Sequence, residues 1–406
     1  MKTWIPRYML CTCILCAAIL LVVWSPGARA QETKSQFTVY GFAMLDMGYD
    51  FKQNNPQWFD VVRPSKLPSY SEEFGKDGRF YAGVRQTRFG VKSSMPTDLG
   101  EFKTIFEFDL FGVGGDAGQT TIRPRHFWGE LGHFGAGQTN SPFMDVDVFP
   151  NSLDYWGPSG MLFFRNVQVR WTPIQGETQL MFALEKPGAS ADAGDYANRI
   201  ELQNVKGRFP LPDFSAAYKL GHPWGYVRLS GMLRYMAWDD LAASDTLDLT
   251  GNAMGWGLCI STNIKISKDV VRVLVIYGQG VENYFNDAPY DIGIAKNAGD
   301  PKKPATGKPL PDLGISAFLD HAWNDQWTSA IGYSRTQITP SDGQAPNAFK
   351  LGQYGLVNLL YSPLPSFMTG FELQWGQRQN NSDGWKADDI RIQFGAKFNF
   401  SQTIGG

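Results

Sequence analysis

Hydrophobic and polar positions alternate with a period of two along much of this chain. The stretch FKTIFEFDLF (102–111) is representative. Phe102, Thr104, Phe106, Phe108 and Leu110 fall on one side, and Lys103, Glu107 and Asp109 on the other, with Ile105 and Phe111 among them. Successive side chains leave opposite faces of a strand, so this pattern is a β signal. Similar segments lie at 36–51, 86–92, 123–130, 133–139, 165–174, 178–185, 213–220, 226–236 and 253–262, and again at 270–280, 312–323, 327–336, 355–362, 367–378 and 388–400, about sixteen in all. Alternation alone leaves the orientation open. In a soluble sandwich the phenylalanines fill a core, whereas in an outer-membrane barrel they face lipid and the charges line an aqueous interior.

The spacing between strands decides the matter. Short connections rich in Pro, Gly or Asp (93–100, 173–177, 221–225, 263–269, 324–326, 362–366) alternate with long polar ones (52–78, 140–164, 186–212, 237–252, 281–311, 337–350, 379–387). A soluble sandwich has no reason to sort its loops by length. The expected fold is therefore all-β: a transmembrane up-and-down antiparallel barrel of about 16 strands, with short periplasmic turns, long extracellular loops and one infolded constriction loop. Aromatic rings at predicted strand ends (Tyr40, Tyr49, Trp171, Tyr235, Trp238, Trp323, Trp327, Tyr361, Trp375) suit the two membrane–water interfaces.

The first thirty residues stand apart. Lys2 and Arg7 precede an apolar run from Met9 to Trp24, and Ser25, Pro26 and Gly27 then break it ahead of Ala28-Arg29-Ala30. This reads as a secretory signal peptide over 1–30, leaving 31–406 as one barrel domain that begins at Gln31. Of the four cysteines only Cys259 lies beyond the leader, so no disulfide framework is expected. The mature segment carries 34 basic and 39 acidic residues, a balance of −5, which argues against a nucleic-acid partner. After Trp24 no apolar run approaches the roughly 18 residues of a spanning helix.

RPRHFWGELG (123–132), GAGQTNSPFMD (135–145), SLDYWGPSG (152–160) and RNVQVRW (165–171) resemble the DcaP-type trimeric porins of Gram-negative bacteria. TGFELQWGQRQNNSDG (369–384) and RIQFGAKFNF (391–400) resemble the end of the same family. The resemblance implies a sixteen-stranded homotrimeric barrel in outer-membrane lipid, passive uptake of small hydrophilic solutes, and a leaning toward organic anions such as dicarboxylates. Two features depart from it. The first strand starts six residues after the expected cleavage site, leaving no room for the coiled-coil extension of some members. Six residues, SQTIGG, also follow Phe400, the kind of terminal aromatic that the outer-membrane insertion machinery reads.

With apolar positions facing lipid, their neighbours face the pore. Phe89 and Val91 outward send Arg88 and Lys92 inward, and Trp128 outward sends Arg123 and Arg125 inward, with His126 on the lipid or interface side. Val167, Val169 and Trp171 outward place Gln168 and Arg170 inside, and Val227, Leu229, Leu233 and Tyr235 do the same for Arg228 and Arg234. Such a cationic wall concentrates anions and grips carboxylates. The connection 140–160 reads as the constriction loop, whose Asp145, Asp147 and Asp154 would face the arginines and set up a transverse field. The plainer role for any one of these residues is mutual neutralisation within the wall. A sugar-selective porin and a closed receptor or adhesion barrel acting through its surface loops are the rival readings. Enzymatic activity is not expected: the four histidines have no serine partner by spacing, and no HExxH, CxxC pair or Gly-rich phosphate loop occurs in the mature chain. No metal or cofactor is expected either.

Overall fold

The computed structural model describes residues 35–112, 122–190, 205–241 and 248–405. The signal peptide read at 1–30 and parts of the connections 186–212 and 237–252 lie outside the described residues. Sixteen antiparallel strands form a closed barrel. They are β1 (Gln36–Asp50), β2 (Arg88–Thr97), β3 (Gly100–Asp109), β4 (Arg123–Leu131), β5 (Phe134–Asn140), β6 (Arg165–Ile174), β7 (Gln179–Glu185) and β8 (Asp213–His222). The second half comprises β9 (Gly225–Asp240), β10 (Gly251–Ile266), β11 (Asp269–Gln279), β12 (Pro311–Ala322), β13 (Trp327–Ile338), β14 (Phe349–Leu364), β15 (Phe367–Asn380) and β16 (Lys386–Ile404). Short pieces at Arg79–Gly83 and Val205–Gly207 extend the ladder beside the ends of β1 and β9, and Ile292–Lys296 pairs with Ala305–Pro309 in a separate hairpin.

β1 closes on β16 in unbroken register from Phe37 opposite Ile404 to Asp50 opposite Arg391. Ser401–Ile404, the residues after the terminal aromatic, therefore belong to the closing strand. The turns at one end of the barrel are tight. Gly225 holds φ 138 where a Cβ would lie 1.8 Å from the Asn263 carbonyl oxygen, so only glycine fits that corner. All the long connections leave from the other end.

The two faces sort as the alternation implied. Leu229 is 55% exposed and Ile260 51%, whereas their neighbours Ser230 and Ser261 are buried. In the 102–111 stretch Phe106 is 46% exposed and Asp109 fully buried. Aromatics gather at strand ends: Trp171, Trp323 and Trp327 are exposed, and Trp327 stacks on Tyr361 with ring centroids 4.5 Å apart. Tyr40 is an exception, turned into the lumen, where its hydroxyl donates to Glu107 at 2.9 Å.

β4 departs from strict alternation in an instructive way. The register against β3 slips between Glu107 and Phe108, a β-bulge. Phe127, not Trp128, faces lipid and meets Phe106 edge-on, while Trp128 is buried on the lumen side beneath the Arg170 guanidinium. His126 also turns inward, with Nδ1 2.8 Å from the Thr139 hydroxyl and Nε2 4.0 Å from Glu107. Arg123 and Arg125 still point inward, because the extra residue resets the parity between them and Trp128.

The inner wall is not uniformly polar. Met232, Cys259, Leu274 and Ile276 on β9, β10 and β11 face inward and are buried under Phe143, Met144, Met161, Leu162 and Phe285 from two connecting segments. An arginine at Ile260, on the outer face of β10 opposite Leu229, should cost about 2–4 kcal/mol if that position sits near the bilayer midplane. Urea unfolding from lipid vesicles would measure this, and a loss near zero would mean that the face does not meet hydrocarbon.

Candidate functional site

Residues 141–164, between β5 and β6, fold into the lumen and are fastened around its wall. Near the start of the segment, Arg228 Nη2 donates to the Pro142 carbonyl (2.6 Å) and Ser230 to that of Phe143 (2.8 Å). Asp145 accepts from Tyr226 (2.8 Å) and Ser261 (2.6 Å) and lies 3.4 Å from Arg228. Asp147 pairs with Lys219 at 2.9 Å. Further on, Asn358 donates to the Asn151 carbonyl (2.7 Å), and Glu372 accepts the backbone N–H groups of Leu153 (2.8 Å) and Asp154 (3.0 Å). Gly160 lies so close to β13 that a Cβ would stand 1.9 Å from the Arg335 carbonyl oxygen.

Two more segments turn inward. Asp60 of the first connection pairs with Arg85 at 2.7 Å. Arg63 lies against the edge-to-face pair of Trp58 and Trp156, 4.2 Å from each ring, and binds Asp287 at 3.0 Å. Ser65 donates to Asp287 as well, through its backbone N–H (2.8 Å) and its hydroxyl (2.5 Å). Asn286 Nδ2 donates to the carbonyls of Trp156 (2.6 Å) and Pro158 (2.9 Å). Three connections thus meet at Arg63, Trp156 and Asn286.

Opposite them stands the charged wall of β2, β3 and β4. Glu107 holds Arg125 at 2.6 Å and lies 3.6 Å from Arg88. Asp109 holds Arg123 (2.8 Å) and Arg125 (3.0 Å) and accepts from the Tyr155 hydroxyl (2.5 Å). Tyr155 stacks on Phe111, with centroids 4.0 Å apart. Between this wall and the inward loops is a cavity of about 350 Å³, lined by Arg63, Arg123, Arg165, Tyr155, Phe163 and Phe285 among others.

The ten residues singled out in the sequence therefore separate. Arg88, Arg123 and Arg125 come together at the charged wall. Lys92 is exposed on β2, near Tyr40. Arg170 lies over Trp128 and donates to Gln168 and the Asn140 carbonyl. Arg228 is buried against Asp145. Arg234 is sealed between Asp213 (2.9 Å) and Asp291 (2.7 Å), where no solute reaches it. The acids do not oppose the arginine wall as a set. Asp154 instead accepts from Tyr354 (2.9 Å) and is buried beside β14, where desolvation raises its carboxyl above the ordinary range. Arg63 and Arg165 escaped the sequence reading: Arg63 lies on a connection without periodicity, and parity counted from Val167 would have sent Arg165 to the lipid.

A closed sixteen-stranded barrel with its lumen narrowed by an inward loop is the architecture of an outer-membrane porin. A family profile described as DcaP outer membrane protein matches residues 26–291, and the chain belongs to that family of outer-membrane channels. Among solved structures, the outer-membrane channel DcaP of Acinetobacter baumannii is similar with a TM-score of 0.72 at 19% identity, covering 92% of this chain and 100% of that one. An anion-selective porin from Comamonas acidovorans gives 0.56 at 10% identity over 90% and 100% of the two chains. The trimer form of OmpT from Vibrio cholerae gives 0.54 at 12% identity over 91% and 100%. No curated protein sequence matches the chain.

Replacing Glu372 with alanine should strand the Leu153 and Asp154 N–H groups, at about 1–3 kcal/mol for each. The constriction segment should then move and the single-channel current should become noisier, whereas E372Q, which keeps one acceptor, should be milder. Asp60 carries a pH signature. Burial outweighs the nearby Arg85 and lifts its carboxyl from the ordinary 3.8 to about 6. The folded protein holds this proton more tightly than the unfolded chain, so stability should fall as the pH rises from 3.8 through 6 and level off above. In D60N that slope should be absent from unfolding midpoints taken across the interval.

Proposed function

We propose that this protein is a diffusion porin for small hydrophilic solutes with a preference for organic anions, dicarboxylates included. It works without enzymatic chemistry, as a homotrimer, after removal of residues 1–30 on export. The observation that carries the anion preference is the charge balance at the narrowed lumen. Among the described residues there, five guanidiniums (Arg63, Arg88, Arg123, Arg125, Arg165) face three carboxylates (Glu107, Asp109, Asp287). An excess of fixed positive charge in a confined, low-dielectric passage raises the local concentration of anions. Because most of these arginines are already paired, a solute meets a field and not a tight site, which lets it leave. The anion selectivity stated for the Comamonas porin agrees with this reading, as does the leaning toward organic anions that the sequence resemblance implies. The trimer form of OmpT is the precedent for assembly.

Reversal potentials in planar bilayers under a KCl gradient test the proposal. Chloride should be preferred over potassium, in conductance steps grouped in threes. Removing charge at Arg88 and Arg123 together should move the permeability ratio toward unity. A cation preference in the unaltered protein would refute the anion reading.

A further inference from the structure

Three arginines line the 350 Å³ cavity, but they are not equivalent. Arg123 directs Nε (3.1 Å) and Nη2 (2.8 Å) at Asp109. Arg63 directs Nε at Asp287 (3.0 Å), with its guanidinium against the rings of Trp58 and Trp156. Arg165 has no carboxylate partner among the described residues. Its Nη1 is shut off from solvent without a hydrogen-bond acceptor, and its guanidinium rests 5.1 Å from the Phe163 ring. A sheltered cation of this kind is costly until an anion meets it.

The surroundings restrict which anion fits. Phe163, Phe164, Phe285, Tyr155 and Trp156 make up much of the remaining lining. The volume falls near the lower end of small-molecule sites, about 300–1,000 Å³. One unpaired fork set in an aromatic wall suits a single carboxylate on a flat apolar body. A second carboxylate would have to lie against rings, meet the amides of Gln138, Asn283 or Asn286, which already donate to backbone carbonyls, or compete with Asp109 or Asp287 for an arginine already engaged.

We infer that this cavity is a binding subsite for an aryl monocarboxylate, with Arg165 receiving the carboxylate and the aromatic lining receiving the ring. The subsite deepens the anion reading above and rests on it. The step is binding alone: no bond is made or broken, and the solute is released to either side.

The test uses the full-length channel in planar bilayers, with benzoate, acetate and succinate as probes of current interruption, together with the KCl reversal potential. Benzoate should interrupt the current at concentrations about tenfold or more below those of acetate or succinate, the scale of burying one ring against the aromatic lining. R165Q should raise the benzoate concentration needed about tenfold or more, the scale of one charge-assisted contact, and R165K, which keeps the charge but loses the fork, should fall between. Resistance of the barrel to unfolding by detergent on gels verifies that both variants fold. If R165Q fails that check, R165K against wild type carries the test. Equal or stronger interruption by succinate, or an unchanged benzoate response in a folded variant, would overturn the inference. The reversal potential separates the two ideas. Chloride preference without benzoate discrimination removes the subsite alone, and potassium preference removes the anion reading beneath it.

Discussion

Everything in this molecule follows from the need to leave no backbone polar group unpaired in hydrocarbon. The ladder between β1 and β16 meets that need by joining the two ends of the sheet from Phe37 and Ile404 to Asp50 and Arg391. Once the sheet is closed, its outer face must be apolar and its connections can lie only at the two rims. Sixteen strands also enclose more space than wall side chains can fill. The interior is therefore furnished by chain from the connections, and the channel's character is set by segments that are not part of the barrel.

Those segments are held by two different forces on two sides of the lumen. On β9, β10 and β11 the wall itself turns apolar, and the constriction segment docks there through Phe143, Met144 and Met161 as it would onto a soluble core. On β2, β3 and β4 the wall is ionic, and among the described residues of the constriction segment Tyr155 reaches across to join the network, through Asp109, Arg123 and Arg125. The asymmetry leaves the water-accessible space beside the charged strands. It also accounts for Cys259, a lone thiol that is buried as a small apolar side chain beneath the loop.

The barrel was legible because the rule that generates it is local: period-two alternation, interrupted by turns of two lengths. All sixteen strands emerge from it, and so does the inward direction of Arg88, Arg170, Arg228 and Arg234. The rule failed where its period changed. One bulged residue in β4 reversed Trp128 and His126 while leaving Arg123 and Arg125 as expected. It failed again at Arg165, the first residue of β6, where the chain is still turning out of the constriction segment. The fate of each charge was less legible still. Whether an inward arginine is free or sealed depends on partners such as Asp213 and Asp291, 78 residues apart in the chain, and no local pattern encodes that pairing. Arg63 depends on two tryptophans and an aspartate from three different connections, which only the folded lumen brings together.

Glu372 grips the constriction segment by its main chain, at the N–H groups of Leu153 and Asp154. Every residue except proline presents that donor, so this fastening is blind to the side chains it holds. That contact would therefore survive a change of side chain at either position, whereas the packing of Leu153 against Met44 and Leu360 and the bond from Tyr354 to Asp154 would not. Main-chain and side-chain fastenings thus fall on the same two residues, and the constriction segment is held there twice, once in a way that depends on its sequence and once in a way that does not.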